Sequence, residues 1–120
     1  MITVERVDFI SIPTRDVARA KRFYGETLGL PLEKDRPTGA EYRAGQVTLG
    51  IWNPEDQGLE FSPNQSGFAL RVSDVAEARR ELEEQGVQFD METFDTGVCH
   101  MALMRDPDGN QIILHRRYAP

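Results

Sequence analysis

The chain has 120 residues, 39% of them hydrophobic and 28% charged, with a formal net charge of −6, the profile of one globular domain with a real core. No apolar run approaches the roughly 18 residues that span a bilayer, and no signal-peptide pattern opens the sequence, so the expectation is a cytoplasmic protein with no membrane partner. The acidic balance argues against nucleic acid, whose phosphates need a basic surface, and is compatible with a cationic ligand or with simple solubility. The single cysteine, Cys99, rules out an intrachain disulfide and suits a reducing compartment.

In chain order, residues 4–13 alternate, with Val7, Phe9 and Ser11 on one face and Asp8, Ile10 and Ile12 on the other. That pattern predicts a strand with both faces largely covered. Asp16 stands where an N-cap belongs, and Val17, Ala20, Phe23, Tyr24 and Leu28 repeat at helical spacing until Gly29 and Pro31 end the helix. Residues 40–44 and 46–52 read as two strands joined at Gly45. Residues 53–66, with Pro54, Gly58 and Pro63, form a polar connection expected to be the most mobile part of the fold.

A strand is predicted again at 67–73, followed by a helix capped by Asp74 with Glu77 in a capping-box-like arrangement. Val75, Ala78 and Leu82 face inward, charged residues cover the other side, and Gly86 ends the helix. The chain closes on a β-hairpin, Val98–Met104 and Gln111–His115, around Asp106-Pro107-Asp108-Gly109-Asn110. Pro107 fixes one corner of that turn and Gly109 supplies a residue able to take positive φ.

The two halves match at a constant offset. Asp16 falls on Asp74, Val17 on Val75, Ala20 on Ala78 and Arg22 on Arg80, while upstream Phe9 falls on Gly67, Ile10 on Phe68 and Ile12 on Leu70. The pattern is β-α-β-β-β written twice, a weak internal repeat.

The residues Asp16-Val-Ala-Arg-Ala-Lys-Arg-Phe-Tyr24, Leu28-Gly-Leu30 and Asp106-Pro-Asp-Gly-Asn110, in that order, resemble the vicinal oxygen chelate superfamily. That group holds glyoxalase I, extradiol dioxygenases, fosfomycin-resistance enzymes and bleomycin-resistance proteins. The resemblance covers essentially the whole chain. It implies an α+β fold of two βαβββ modules, a curled mixed sheet around a cavity with helices outside. It also implies one domain over 1–120, with module 1 at about 4–53, a connection at 54–66 and module 2 at about 67–118. A homodimer is a further implication of that resemblance.

Metal-dependent members hold a divalent ion through His and Glu side chains facing the cavity. The matching positions here are Phe9, Gly67, Ile113 and a residue close to Leu49. None of these side chains offers a lone pair to a cation, which needs several N, O or S donors at about 2 Å. No metal and no cofactor are therefore expected. A rebuilt site would have to draw on His100, His115 and Cys99 with Asp106 and Asp108. Cys99 and His100 are adjacent on one strand and point to opposite faces, and the two Asp residues read as turn-formers.

Alternation from Phe9 and Ile113 places Ser11, Pro13, Ala69, Arg71, Gln111 and His115 towards the cavity, and comparison within the superfamily adds Met101 and Leu103. Tyr42 or Arg43 and Trp52 join from the first module. Phe9, Ser11, Tyr42, Leu49, Trp52, Gly67, Arg71, Met101, Leu103, Ile113 and His115 are thus the candidate ligand-binding residues. Such an apolar pocket with a few polar groups is what a small-molecule site requires. The duller alternatives are a collapsed core around Phe9 and Ile113, an edge ion pair for Arg71 and a dimer contact for Trp52. The expected function is small-molecule binding without metal, of the bleomycin-resistance type. The alternatives are a lyase, dioxygenase or thiol transferase with a rebuilt metal site or with His115 or Tyr42 as acid–base groups, and a regulatory module with a filled cavity.

Overall fold

A computed structural model describes residues 1–120, and the chain divides into two compact units, Met1–Phe61 and Ser62–Pro120. In the first unit the elements are β1 (Ile10–Pro13), α1 (Val17–Arg22), a π-helical turn over Phe23–Thr27, β2 (Leu32–Arg36), β3 (Gly39–Ala44), β4 (Val47–Trp52) and a 3₁₀ turn over Pro54–Gln57. The second holds β5 (Phe68–Arg71), α2 (Val75–Glu84), β6 (Phe94–Asp95), β7 (Cys99–Arg105) and β8 (Gln111–Arg117). Each unit forms its own four-stranded mixed sheet, ordered β1-β4-β3-β2 and β5-β8-β7-β6, with the first strand parallel to the last and the other pairs antiparallel. The architecture is α+β, a βαβββ module written twice. The offset read from the sequence carries Ile10–Pro13 onto Phe68–Arg71 and Val17 onto Val75.

Both helices start as their caps dictate. The Asp16 carboxylate accepts from the Arg19 amide at 3.0 Å and the Asp74 carboxylate from the Glu77 amide at 3.0 Å, each satisfying an orphan donor of the first turn. Gly29 and Gly86 follow the helices at φ 69° and 88°, where a side chain would be strained. In the first unit Ala20, Phe23 and Tyr24 are buried on the helical side and Ile12, Ala40, Tyr42, Leu49 and Ile51 on the sheet. The Tyr24 and Tyr42 rings lie 6.3 Å apart. Val75 and Leu82 of α2 perform the same role in the second unit with Ala102, Met104, Ile112 and Leu114.

Two expectations are corrected. The first strand runs over Ile10–Pro13 rather than 4–13, and it is not covered on both faces: Ile12 is buried, but Ser11 is exposed and Phe9, just ahead of the strand, is 56% exposed. Burial is confined to the end of the strand, at Ile12 and Pro13, and Ile10 is half-buried. The connection at 53–66 is also partly regular, since Asn53 accepts from the Glu55 amide at 2.9 Å and caps the 3₁₀ turn. One strand escapes the apolar pattern altogether. Leu32–Arg36 is exposed throughout and carries four charges in five residues, the composition of a protected sheet edge rather than of a buried strand.

The closing hairpin is organised by Asp106, which is buried. One of its oxygens accepts from the Asp108 and Asn110 amides, both at 2.9 Å, and the other from Asn110 Nδ2 at 2.8 Å. Gly109 takes φ 90°, as the turn requires.

Candidate functional site

Side chains alternate across a sheet, so the face of the first sheet that does not carry Ile12, Leu49 and Ile51 carries the other half of each strand. The cross-strand register lines up Ser11, Gly50, Glu41 and Lys34 in one row and Pro13, Trp52, Gly39 and Arg36 in the next. All of these except the buried Pro13, together with Phe9 and Thr38, line a pocket of about 490 Å³, within the usual range for small-molecule sites.

Two of the strand residues beneath it are glycines. A Cβ at Gly39 would stand 2.3 Å from the Ile51 carbonyl oxygen, so only glycine fits between these strands. A Cβ at Gly50 would stand 3.1 Å from Cδ2 of Phe9, whose ring leans over that glycine. The second aromatic wall is Trp52, the one tryptophan of the chain. Its Nε1–H donates to Ser11 Oγ at 2.6 Å, which ties the indole to β1 and fixes its plane. On the opposite side of the pocket, Arg36 pairs with Glu41 at 3.3 Å, and Lys34 makes no hydrogen bond or ion pair.

Of the residues singled out in the sequence, Phe9, Ser11 and Trp52 line this pocket. Leu49 and Tyr42 lie on the other side of the sheet, in the core, 1% and 4% exposed. The Tyr42 hydroxyl donates to the Lys21 carbonyl at 3.2 Å. Burial, with Asp35 and Glu26 nearby, pushes this phenol above its usual range, and its hydroxyl is engaged by the α1 backbone, off the pocket lining. Leu49 and Trp52 are three apart on one strand and cannot share a face. That alternation, visible in the sequence, separates Leu49 from Trp52, and the fold puts Gly50 on the pocket side. Among the pocket residues missed by sequence reasoning, Lys34, Arg36 and Thr38 belong to the charged edge strand and the turn after it, and Gly39, Ala40, Glu41, Gly50 and Ile51 to the two central strands.

In the second unit, Arg71, Met101, Leu103, Ile113 and His115 share one face. The register sets Met101 and Arg71 beside His115, and Leu103 and Ala69 beside Ile113. The imidazole of His115 has no carboxylate partner to orient it. Gly67 sits where a Cβ would be 2.5 Å from the Gln111 carbonyl oxygen, so its glycine answers a close backbone approach. His100 lies elsewhere, stacked on Tyr118 at 4.7 Å and 3.3 Å from Asp95, while Cys99 is buried.

The residues do not fit a divalent ion of the kind held by metal-dependent vicinal oxygen chelate enzymes. Phe9, Gly67, Ile113 and Leu49 carry no donor. Nowhere do three or more His, Cys, Asp or Glu side chains come together closely enough to hold a metal.

The family model described as Glyoxalase/Bleomycin resistance protein/Dioxygenase superfamily matches residues 6–114. Among solved structures, the chain is similar to TnmS3, an antibiotic binding protein from Streptomyces sp. CB03234, at 28% identity and TM-score 0.79, over 98% of this chain and 99% of that one. A glyoxalase/bleomycin resistance protein from the same organism is 31% identical with TM-score 0.72, over 90% and 97% of the two chains. A member of the superfamily from Sphaerobacter thermophilus DSM 20745 is 27% identical with TM-score 0.77, over 93% and 97%. No curated protein matches the chain. No helix is long and apolar enough to cross a membrane.

Proposed function

The chain belongs to the glyoxalase/bleomycin resistance protein/dioxygenase superfamily, and from that membership we propose that it binds a small molecule in the pocket of the first sheet, without metal and without turnover. The observation that carries this reading is the pocket itself. Two aromatic side chains, Phe9 and Trp52, stand over a floor opened by Gly39 and Gly50. Such a slot suits a planar ligand, because ring faces stack favourably. The similarity to an antibiotic binding protein supports binding over chemistry, as does the absence of donor side chains at the four positions where metal-dependent relatives need them. The reading includes a cytoplasmic protein that pairs as a homodimer, which sedimentation tests directly.

The experiment is a calorimetric titration with a panel of planar aromatic compounds, each recovered and chromatographed afterwards. Saturable binding that weakens in Trp52→Ala, with every ligand recovered unchanged, is the expected result. Steady conversion of the bound compounds, or binding indifferent to both Trp52→Ala and Phe9→Ala, overturns it.

A further inference from the structure

The net charge of the chain is −6, yet the pocket is locally cationic, and the charges can be traced one by one. Strands β2 and β3 hold three carboxylates, Glu33, Asp35 and Glu41, and three cations, Lys34, Arg36 and Arg43. Glu33 is engaged by Arg43 Nε at 3.0 Å and by the Thr48 hydroxyl at 2.8 Å. Asp35 is engaged by Lys21 of α1 at 2.7 Å, and Glu41 by Arg36 at 3.3 Å. Every carboxylate of the two strands therefore has its cation, and Lys21 has supplied one from outside. Lys34 is left over. It lies opposite Glu41 in the register, on the pocket lining, and forms no ion pair, and the one carboxylate that feels its charge, Glu33, is already paired with Arg43.

Within the binding reading above, we infer that the pocket selects a planar aromatic anion, a carboxylate or phenolate, with Lys34 as the residue that reads its charge. Trp52 is on β4 and Lys34 on β2, two strand spacings away, or about 10 Å between backbones. A fused-ring aromatic acid spans that gap, with its rings against Phe9 and Trp52 over the glycine floor and its oxygens at the Lys34 ammonium. The Ser11 and Thr38 hydroxyls and the Arg36 guanidinium are further donors on the lining, but of its cations only the Lys34 ammonium has no ion-pair partner. A cation placed in the same slot would meet Lys34 and an Arg36–Glu41 pair already satisfied. The acidity of the whole chain is thus misleading about its ligand.

The test compares naphthoate with its neutral isostere naphthamide by calorimetry, on the wild type, Lys34→Gln and Lys34→Arg. Lys34 is exposed on an edge strand, so these substitutions leave the fold intact. Naphthoate is expected to bind roughly fivefold more tightly than naphthamide, the size of one partly screened charge pair. That preference disappears in Lys34→Gln, survives in Lys34→Arg and shrinks as salt is added. Equal binding of the two probes, with no response to Lys34→Gln but a loss in Trp52→Ala, overturns the anion selectivity and leaves the binding reading standing. Absence of saturable binding by either probe at roughly millimolar concentration overturns it too, and the neutral and cationic members of the panel above then decide the binding reading separately.

Discussion

The indole Nε1–H of Trp52 donates to the hydroxyl of Ser11 at 2.6 Å, across the parallel pairing of β4 with β1. The two residues are 41 positions apart in sequence, and their hydrogen bond turns an aromatic side chain on a strand end into a wall with a defined plane. A ring held in one orientation loses less entropy when a ligand stacks on it.

Removing that tether has a measurable consequence. Ser11→Ala is expected to cost under about 1 kcal/mol of stability, because water replaces the acceptor at an exposed position. The indole becomes freer, so the steady-state anisotropy of its emission falls and aromatic probes bind several-fold more weakly. Since the chain has one tryptophan, the signal needs no deconvolution. Unchanged anisotropy would mean that packing, not Ser11, orients the ring.

The two floor glycines are predicted to respond differently to alanine. At Gly39 the new methyl group would meet backbone, the Ile51 carbonyl oxygen at 2.3 Å, and relief requires separating β3 from β4. Gly39→Ala should therefore lose roughly 1–3 kcal/mol in urea denaturation. At Gly50 the nearest atom is Phe9 Cδ2 at 3.1 Å, on an exposed ring that can swing aside. Gly50→Ala should cost under about 1 kcal/mol while narrowing the slot and weakening probe binding. Equal stability losses would count against this account of the floor.

Asp106 should prove to be the most sensitive residue of the closing hairpin. It is buried and accepts three hydrogen bonds within the turn, two from amides and one from Asn110 Nδ2. Asp106→Ala strands those donors and is expected to cost roughly 2–4 kcal/mol. Asp106→Asn keeps an acceptor and should cost less. The check is chemical denaturation at constant m-value, and a loss no larger than that of a surface substitution would show that the turn holds itself without the carboxylate.

A pH effect is expected at the end of the chain. Asp95 accepts from the Gly97 amide at 2.8 Å and from the Tyr118 hydroxyl at 2.8 Å, with His100 Nε2 at 3.3 Å. The Gly97 amide first, then Tyr118, hold its carboxyl below the usual carboxylate range, and the bond to Asp95 pushes the Tyr118 phenol up. A lowered carboxylate stabilises above its unfolded value and loses that contribution as pH falls through the folded one. A raised phenol stabilises below its unfolded value and loses it as pH rises through the folded one. The tether from Tyr118 to β6 thus holds between about pH 4 and about pH 10. In Tyr118→Phe, carboxyl ¹³C titration should show Asp95 moving up towards the ordinary range, and an unmoved titration would refute the coupling.

The sequence by itself determined the modules, their helices and the closing hairpin. These rest on local chemistry: Asp16 and Asp74 cap because a carboxylate satisfies free amides, Gly29 and Gly86 stop helices because they tolerate positive φ, and the offset between halves repeats both. That Phe9, Gly67 and Ile113 carry no donor atom in their side chains is a fact of the sequence, whatever the fold does with them. Tertiary structure alone decided the rest. A one-residue difference in strand register exchanges the two faces of a sheet, and it is the observed register that sends Leu49 and Tyr42 into the core and opens Gly50 and Gly39 to the pocket. The strand Leu32–Arg36 has no apolar alternation because, as an edge, it buries nothing. The charge of the pocket follows from pairing rather than composition: a chain carrying −6 still leaves Lys34 unpaired, because each neighbouring carboxylate has already found a cation through space.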